Sequence, residues 1–416
     1  MSIVTTSTRS LRDRLLYSTA AAAFVCIVGG FSSAQDQEGA NDPANFAWQK
    51  EAIEHAQRMR GFFDPDSGQQ KTPPVILVFE TDTDPFGSIA TLQPLGPTQT
   101  SQNAFFANLG TNGRTCFSCH DPQNGWTVSA KSVQDRFEDS QGTDPIFRLV
   151  DGATCPSDNV SSIAAKRKAY SLLLKKGLIR IFLPIPPTAQ YRIVSVNDPY
   201  GCNTNPATGL TTFGLANPTA GIVSVYRRPL PSTNLGFLTT IMWDNREPSL
   251  TSQAINAALI HAQGMAAPTA DQQQQMVAFE SDLFTAQNRD NNAGNLSAAS
   301  ATGGPNAIAN LLPGFFIGIN DPVPGGTPPS FGNPTGKPFT PFVFDPYDAW
   351  NNIGGPGERD EYRRSVARGQ KVFNTVPINI TRAAGLNDTL GVANFPGSVR
   401  PVMIRPMLVI IHENWG

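Results

Sequence analysis

The chain has 416 residues, enough for two or three domains and a large core. Its formal net charge is −2, which excludes the strongly basic footprint of a nucleic-acid-binding protein. Charged residues make up only 15%, and 36 glycines with 35 prolines exclude a long helical rod in favour of a loop-rich globule.

Residues 1–34 read as an export signal. Arg9, Arg12 and Arg14 form a basic start, residues 15–28 an apolar core too short for a comfortable membrane span, and Ser32-Ser33-Ala34 a cleavage site. Cleavage leaves no span of transmembrane length, and a bacterial periplasmic or otherwise exported protein is expected. Residues 44–62 have helical apolar spacing and include His55, a surface histidine or a distal ligand. Residues 63–100 are rich in Pro, Thr and Asp, with one short strand expected at 75–79. Residues 102–109 read as a helix carrying Phe105 and Phe106 towards the turn at 110–113.

Residues 114–120, Arg-Thr-Cys-Phe-Ser-Cys-His, hold the most informative pattern. Cys-x-x-Cys-His is the attachment motif of a c-type haem. Residues three and four apart share a face of a helical turn, so Cys116 and Cys119 reach one edge of a porphyrin and His120 sits under the iron as proximal ligand. The alternatives are a redox Cys-x-x-Cys, half a zinc site, or chance. The chain offers no matching second ligand pair for zinc. With Cys26 removed in the signal, Cys155 and Cys202 remain, either as a disulfide in an oxidising compartment or as two buried thiols.

Pro122 stops the haem turn, and Trp126 either packs in the core or shields the porphyrin. Residues 162–176 read as an amphipathic helix, 178–182 with 191–196 as a hairpin, and 223–227 as a further strand. In Met242-Trp243-Asp244-Asn245-Arg246, Arg246 suits a haem propionate or a structural ion pair. A helix follows from Leu250, with His261 on or beside its apolar face. His261, Met242 and Met265 are the candidate distal ligands, in that order. Thr269 with Gln272 forms a capping box that opens a helix with Met276, Phe279 and Leu283 inward.

Four units are therefore expected: the signal (1–34), an N-terminal haem domain (35–290), a Gly/Pro/Asn-rich linker (291–341) and an incomplete second domain (342–416). A helix over 362–373 opens that second domain, yet no second haem motif follows it. If codons in the tail are read one base early, Val399 and Val402 permit Cys, Met403 permits His, Ile404 Asp and Arg405 Thr. A complete Cys-x-x-Cys-His then reappears, so the tail from about 398 reads as out of frame. The nucleotide sequence tests this: without cysteine codons in that frame the reading fails.

Four stretches together resemble the bacterial di-haem cytochrome c peroxidase family, including its methylamine-utilisation maturation-enzyme relatives. They are Gly113 to His120, Asp144-Pro145-Ile146-Phe147, residues 242–246 and Arg368-Gly369-Gln370-x-x-Phe373, with Asn245 where the family usually has Gly. The resemblance spans roughly residues 103–287 and 362–397. It implies a mainly α fold: a cytochrome c-like haem domain with short strands and long loops, plus the stub of a second cytochrome c-like domain. It also implies haem c (one in this chain, a second in the intact family pattern), hydrogen peroxide as substrate and a small redox protein or other electron donor. With a single motif the expectation is a c-type cytochrome active in electron transfer or as a peroxidase-like oxidoreductase. A mono-haem electron carrier or an inactive truncated product are the alternatives.

Overall fold

The computed structural model describes residues 63–64, 69–184, 222–238, 241–312 and 345–375. The export segment, His55, the strand expected at 191–196, Cys202 and the tail from 398 lie outside them. None of the described helices is long and apolar enough to cross a membrane.

The strands are β1 (Phe63–Asp64), β2 (Gln69–Gln70), β3 (Val75–Ile76), β4 (Phe79–Asp84), β5 (Gly87–Leu92), β6 (Thr98–Gln99), β7 (Ile179–Pro184), β8 (Ile222–Arg227), β9 (Phe284–Asp290) and β10 (Gly294–Asn295). The α-helices are α1 (Ala130–Ser140), α2 (Ile163–Ala169), α3 (Ser171–Lys176), α4 (Leu250–Ile260), α5 (Ala270–Ser281), α6 (Pro305–Leu311) and α7 (Glu358–Thr375). Every strand pairing is antiparallel: a four-stranded sheet in the order β10-β9-β5-β4, and the pairs β1-β2, β3-β6 and β7-β8.

This overturns the expected mainly α, cytochrome c-like fold, because among the described residues seven α-helices stand beside four antiparallel sheets. The physical reason lies in residues 79–92, whose Thr- and Asp-rich sequence reads as loop. Asp84 accepts a hydrogen bond from the Phe86 amide at 2.7 Å, which turns the chain between β4 and β5. Ser88 and Ala90 then face inward on β5. Beyond that turn β5 pairs with β9 from Gly87↔Asp290 to Leu92↔Phe284, a partner nothing local announces. Gly87 is required there by close approach: a Cβ on it would lie 2.0 Å from the Arg289 carbonyl oxygen.

Local chemistry explains two smaller differences, and a third lies in strand pairing. Residues 102–109 form no α-helix. The Asn103 side chain accepts from the Phe105 amide at 2.9 Å and leaves short 3-10 turns, Thr100–Gln102 and Ala104–Phe106. The helix expected over 162–176 breaks into α2 and α3 at Tyr170, whose backbone departs from helical geometry (φ −93°, ψ 18°) while its hydroxyl donates to Phe147 O at 3.1 Å. β7 pairs with β8, Ile179↔Arg227 through Pro184↔Ile222.

Three apolar cores result. The first joins Phe105, Phe117 and Trp126 to Met276, Phe279 and Leu283 of the α5 segment. The second packs Val133 and Phe137 of α1 against Phe147, Tyr170, Leu173 and Ile181. The third unites Ala293, Leu296 and Ala301 with Trp350 and Ala367, so residues of the expected linker share a core with α7. Trp350 donates its indole N–H to Ala298 O at 2.9 Å, and Gln370 of α7 accepts from the Tyr347 amide at 2.8 Å.

Candidate functional site

Residues 116–120 lie where the first two cores meet. Cys116 packs against the first and Cys119 against the second. Cys116–Ser118 is one 3-10 turn, and the amides of Cys119 and His120 both donate to Cys116 O at 3.1 Å. Phe117 and Ser118 are fully buried, whereas Cys116, Cys119 and His120 are each only half-buried. The turn thus buries Phe117 and Ser118 and leaves the two thiols and the imidazole partly exposed.

Two buried arginine–aspartate pairs hold this turn. Arg136 of α1 grips Asp144 through Nη2 at 2.6 Å and Nε at 3.0 Å, and its Nη1 donates to Ser118 O at 2.7 Å. Arg114 pairs with Asp151 at 2.5 Å, and its Nε and Nη2 donate to Pro145 O and Ile146 O at 2.9 and 2.7 Å. Asp144-Pro145-Ile146-Phe147 is therefore the strap that fixes the cysteine turn. Arg114, Arg136 and Asp151 were not singled out from sequence, since their partners lie 8 to 37 positions away along the chain.

The His120 ring is held at Nδ1, which lies 2.9 Å from Trp126 O and 2.9 Å from Ser232 Oγ. A shared Nδ1–H leaves Nε2 with its lone pair, and no hydrogen bond of Nε2 is found among the described residues. Trp126 is fully buried, donates to Thr91 Oγ1 at 2.9 Å, and meets Phe105 and Phe279 edge-to-face. The Phe105 ring lies 6.0 Å from that of His120.

Burial pushes the His120 pKa down to about 4, against the bond to Trp126 O, and the nearby His261 pushes it the same way. The sign for stability follows. In the haem-free chain the unfolded state takes up a proton near 6.5, before the folded state does. The contribution of His120 to stability is lost as pH falls through that window, and its loss is complete below about 4, on the order of 3 kcal/mol. Urea titrations are expected to show wild type losing stability relative to His120→Gln as pH falls across this range.

Burial raises the Cys116 thiol, with Glu280 adding to the effect, and raises the Cys119 thiol, with Arg114 opposing. A redox Cys-x-x-Cys needs a lowered thiol pKa, and this environment works the other way. Among the described residues no group of three or more His, Cys, Asp or Glu is placed to hold a metal ion, so a closed zinc site finds no support. One imidazole and two thiols, all partly exposed on one short turn, fit the chemistry of haem attachment.

Among the described residues, no hydrogen bond, ion pair or ring contact joins Met242, Met265 or Arg246 to this turn. His261 ends α4. Its Nδ1 lies 2.6 Å from Asp151, and its carbonyl accepts from Asn112 at 2.8 Å. Met242 is half-buried in a left-handed conformation (φ 79°). Met265 is 90% exposed beside a cleft of about 360 Å³ bounded by residues 108–111 and 265–268. Arg246 pairs with Asp244 at 2.9 Å and approaches Glu247 at 3.9 Å. Ser252 and Asn256 of α4 also donate to Glu247, so residues 242–247 form a tied turn at the start of that helix. Arg227 reaches Asp244 as well, at 3.4 Å. Cys155 is half-buried, its amide bonded to Asp158 Oδ2 at 2.9 Å, and its expected partner Cys202 lies outside the described residues.

Sequence reasoning missed three neighbours of the turn. Met276 Sδ lies 3.9 Å from Cys116 Sγ. Ser232 touches His120, and Glu280 is buried, its carboxyl raised to about 7 by burial. Glu280 carried a readable signal: Met276, Phe279, Glu280 and Leu283 share one inward face, and a carboxylate on such a face calls for a partner. Ser232 sits in a run without periodicity and gave none.

No family model, no curated protein and no solved structure matches this chain.

Proposed function

We propose that this chain is an exported c-type cytochrome that carries haem covalently on Cys116 and Cys119, with His120 as proximal iron ligand. Its activity is electron transfer with peroxidase-like reduction of hydrogen peroxide, fed by a small redox protein or similar donor. One observation carries the reading: Cys116, Cys119 and His120 are the partly exposed residues of one anchored turn, and the His120 ring is held by Nδ1 so that Nε2 is left to bind iron. Attachment joins each cysteine sulfur to one vinyl carbon, and the thiol hydrogen goes to the other. Bound haem supplies one-electron chemistry at its iron. The chain supplies the ligand, its orientation, and the aromatic wall of Phe105 and Trp126 beside it. Export is part of the proposal and rests on the basic and apolar pattern of residues 1–34.

A mono-haem electron carrier is the second reading. It is favoured by the single Cys-x-x-Cys-His motif, and by His261, whose Nδ1 is held by Asp151 at 2.6 Å. Titration of the purified haem protein with hydrogen peroxide separates the two. The peroxidase-like reading expects the visible haem bands to change, and unchanged bands would leave only the carrier.

A further inference from the structure

Positive charge gathers on one face of a chain whose formal net charge is −2. Arg228 Nη2 donates to the Lys176 carbonyl at the end of α3, at 2.9 Å. The Trp243 indole N–H reaches the Arg228 carbonyl at 3.3 Å. Arg227 and Arg246 both pair with Asp244, at 3.4 and 2.9 Å. These contacts join Lys175, Lys176, Arg227, Arg228 and Arg246 into one patch. Its carboxylates are Asp244 and the buried Glu247, so five positive charges stand against two negative. Both lysines are exposed, and Trp243, tied to the Arg228 carbonyl and next to Asp244, is 47% exposed. An exposed tryptophan among arginines is the residue mix that carries energy at protein interfaces.

The patch is joined to the candidate site by a short run of chain. Pro229 O accepts from Thr127 Oγ1, and the Ser232 amide donates to Trp126 O at 3.0 Å. Ser232 Oγ lies 2.9 Å from His120 Nδ1. Residues 228–232 thus lead from the patch to the imidazole.

We propose that this face docks an acidic electron-donating protein. The proposal rests on the haem reading above and names the kind of donor that reading needs. Opposite charge speeds the encounter and fixes its orientation. In the docked pair the donor is oxidised by one electron and the ferric haem is reduced to ferrous. A second copy of this chain suits the patch less, because two-fold pairing sets like charges against each other. An anionic membrane also suits it less. The cations come from three separate segments with Asp244 among them, not from one basic helix face.

The test uses the full-length, haem-loaded protein, and the probe is fully reduced flavodoxin, a small acidic one-electron donor. Stopped-flow absorbance follows haem reduction in wild type, Lys176→Glu, Lys176→Gln, Trp243→Ala and Lys371→Glu. Lys371 is an exposed lysine of α7 outside the patch. The wild-type second-order rate is expected to fall as salt is raised. At low salt Lys176→Glu is expected to slow it about tenfold, and Lys176→Gln, which removes charge without reversing it, less. Trp243→Ala is expected to slow it at every salt concentration, because the loss is of contact and not of charge. Lys371→Glu makes the same change in net charge and is expected to stay within about twofold of wild type. A wild-type rate indifferent to salt, or equal slowing by Lys176→Glu and Lys371→Glu, overturns the docking face and leaves the haem reading intact. So does a Lys176→Glu protein that keeps the wild-type rate but no longer binds vesicles of mixed anionic and neutral lipid, which assigns the patch to a membrane. A wild-type protein without a Soret band overturns both.

Discussion

Asp144→Ala is expected to lower the stability of the folded chain by about 3–5 kcal/mol, the cost of leaving a buried arginine without its counter-charge. Arg136 is 3% exposed and Asp144 fully buried, so neither charge is relieved by water. The same arginine donates to Ser118 O, and the same aspartate accepts from the Ile146 amide at 2.8 Å, so the loss loosens the cysteine turn and its strap together. Urea denaturation followed by circular dichroism measures the change as a drop in midpoint. The double variant Arg136→Leu with Asp144→Leu is expected to lose less than Asp144→Ala alone, because it leaves no orphaned charge. An Asp144→Ala protein within about 1 kcal/mol of wild type would contradict the clamp, since that is the worth of an exposed pair.

The second large effect is chemical. Replacing both Cys116 and Cys119 by serine is expected to abolish covalent haem, because the hydroxyl does not take the place of the thiol in attachment. The protein should then fail to stain for haem on a denaturing gel, while the single variants keep one linkage and stain more weakly. The fold should survive the change: serine is nearly isosteric with cysteine and both side chains are only half-buried. Haem that stays attached in the double variant would place the linkage elsewhere in the chain.

The parts of this structure that sequence made legible are those whose cause is local. The Thr269–Gln272 capping box forms as its spacing predicts, with Gln272 N donating to Thr269 Oγ1 and Thr269 N to the Gln272 side chain. The inward face of Met276, Phe279 and Leu283 follows from helical period, and β8 from a run of β-branched residues. The helix expected at 362–373 lies within α7. What stayed hidden depends on distant partners. β5 meets β9 across roughly two hundred residues, and neither strand carries an alternation strong enough to announce it. Weight therefore fell on the helical stretches, and the mainly α expectation failed for that reason. The site divides in the same way. The turn at 116–120 reads from five adjacent residues, whereas Arg114 with Asp151, Arg136 with Asp144 and His120 with Ser232 are pairings made by the fold.

The account stands on covalent haem at residues 116–120, and one measurement tests it most directly. The wild-type chain is produced in a bacterium with working haem-ligation machinery, beside a known c-type cytochrome as control, and its proteolytic peptides are weighed. The peptide containing Cys116, Cys119 and His120 is expected to carry one haem, and the intact protein to show a Soret band. Two unmodified thiols on that peptide, from cells in which the control is fully loaded, would contradict the account.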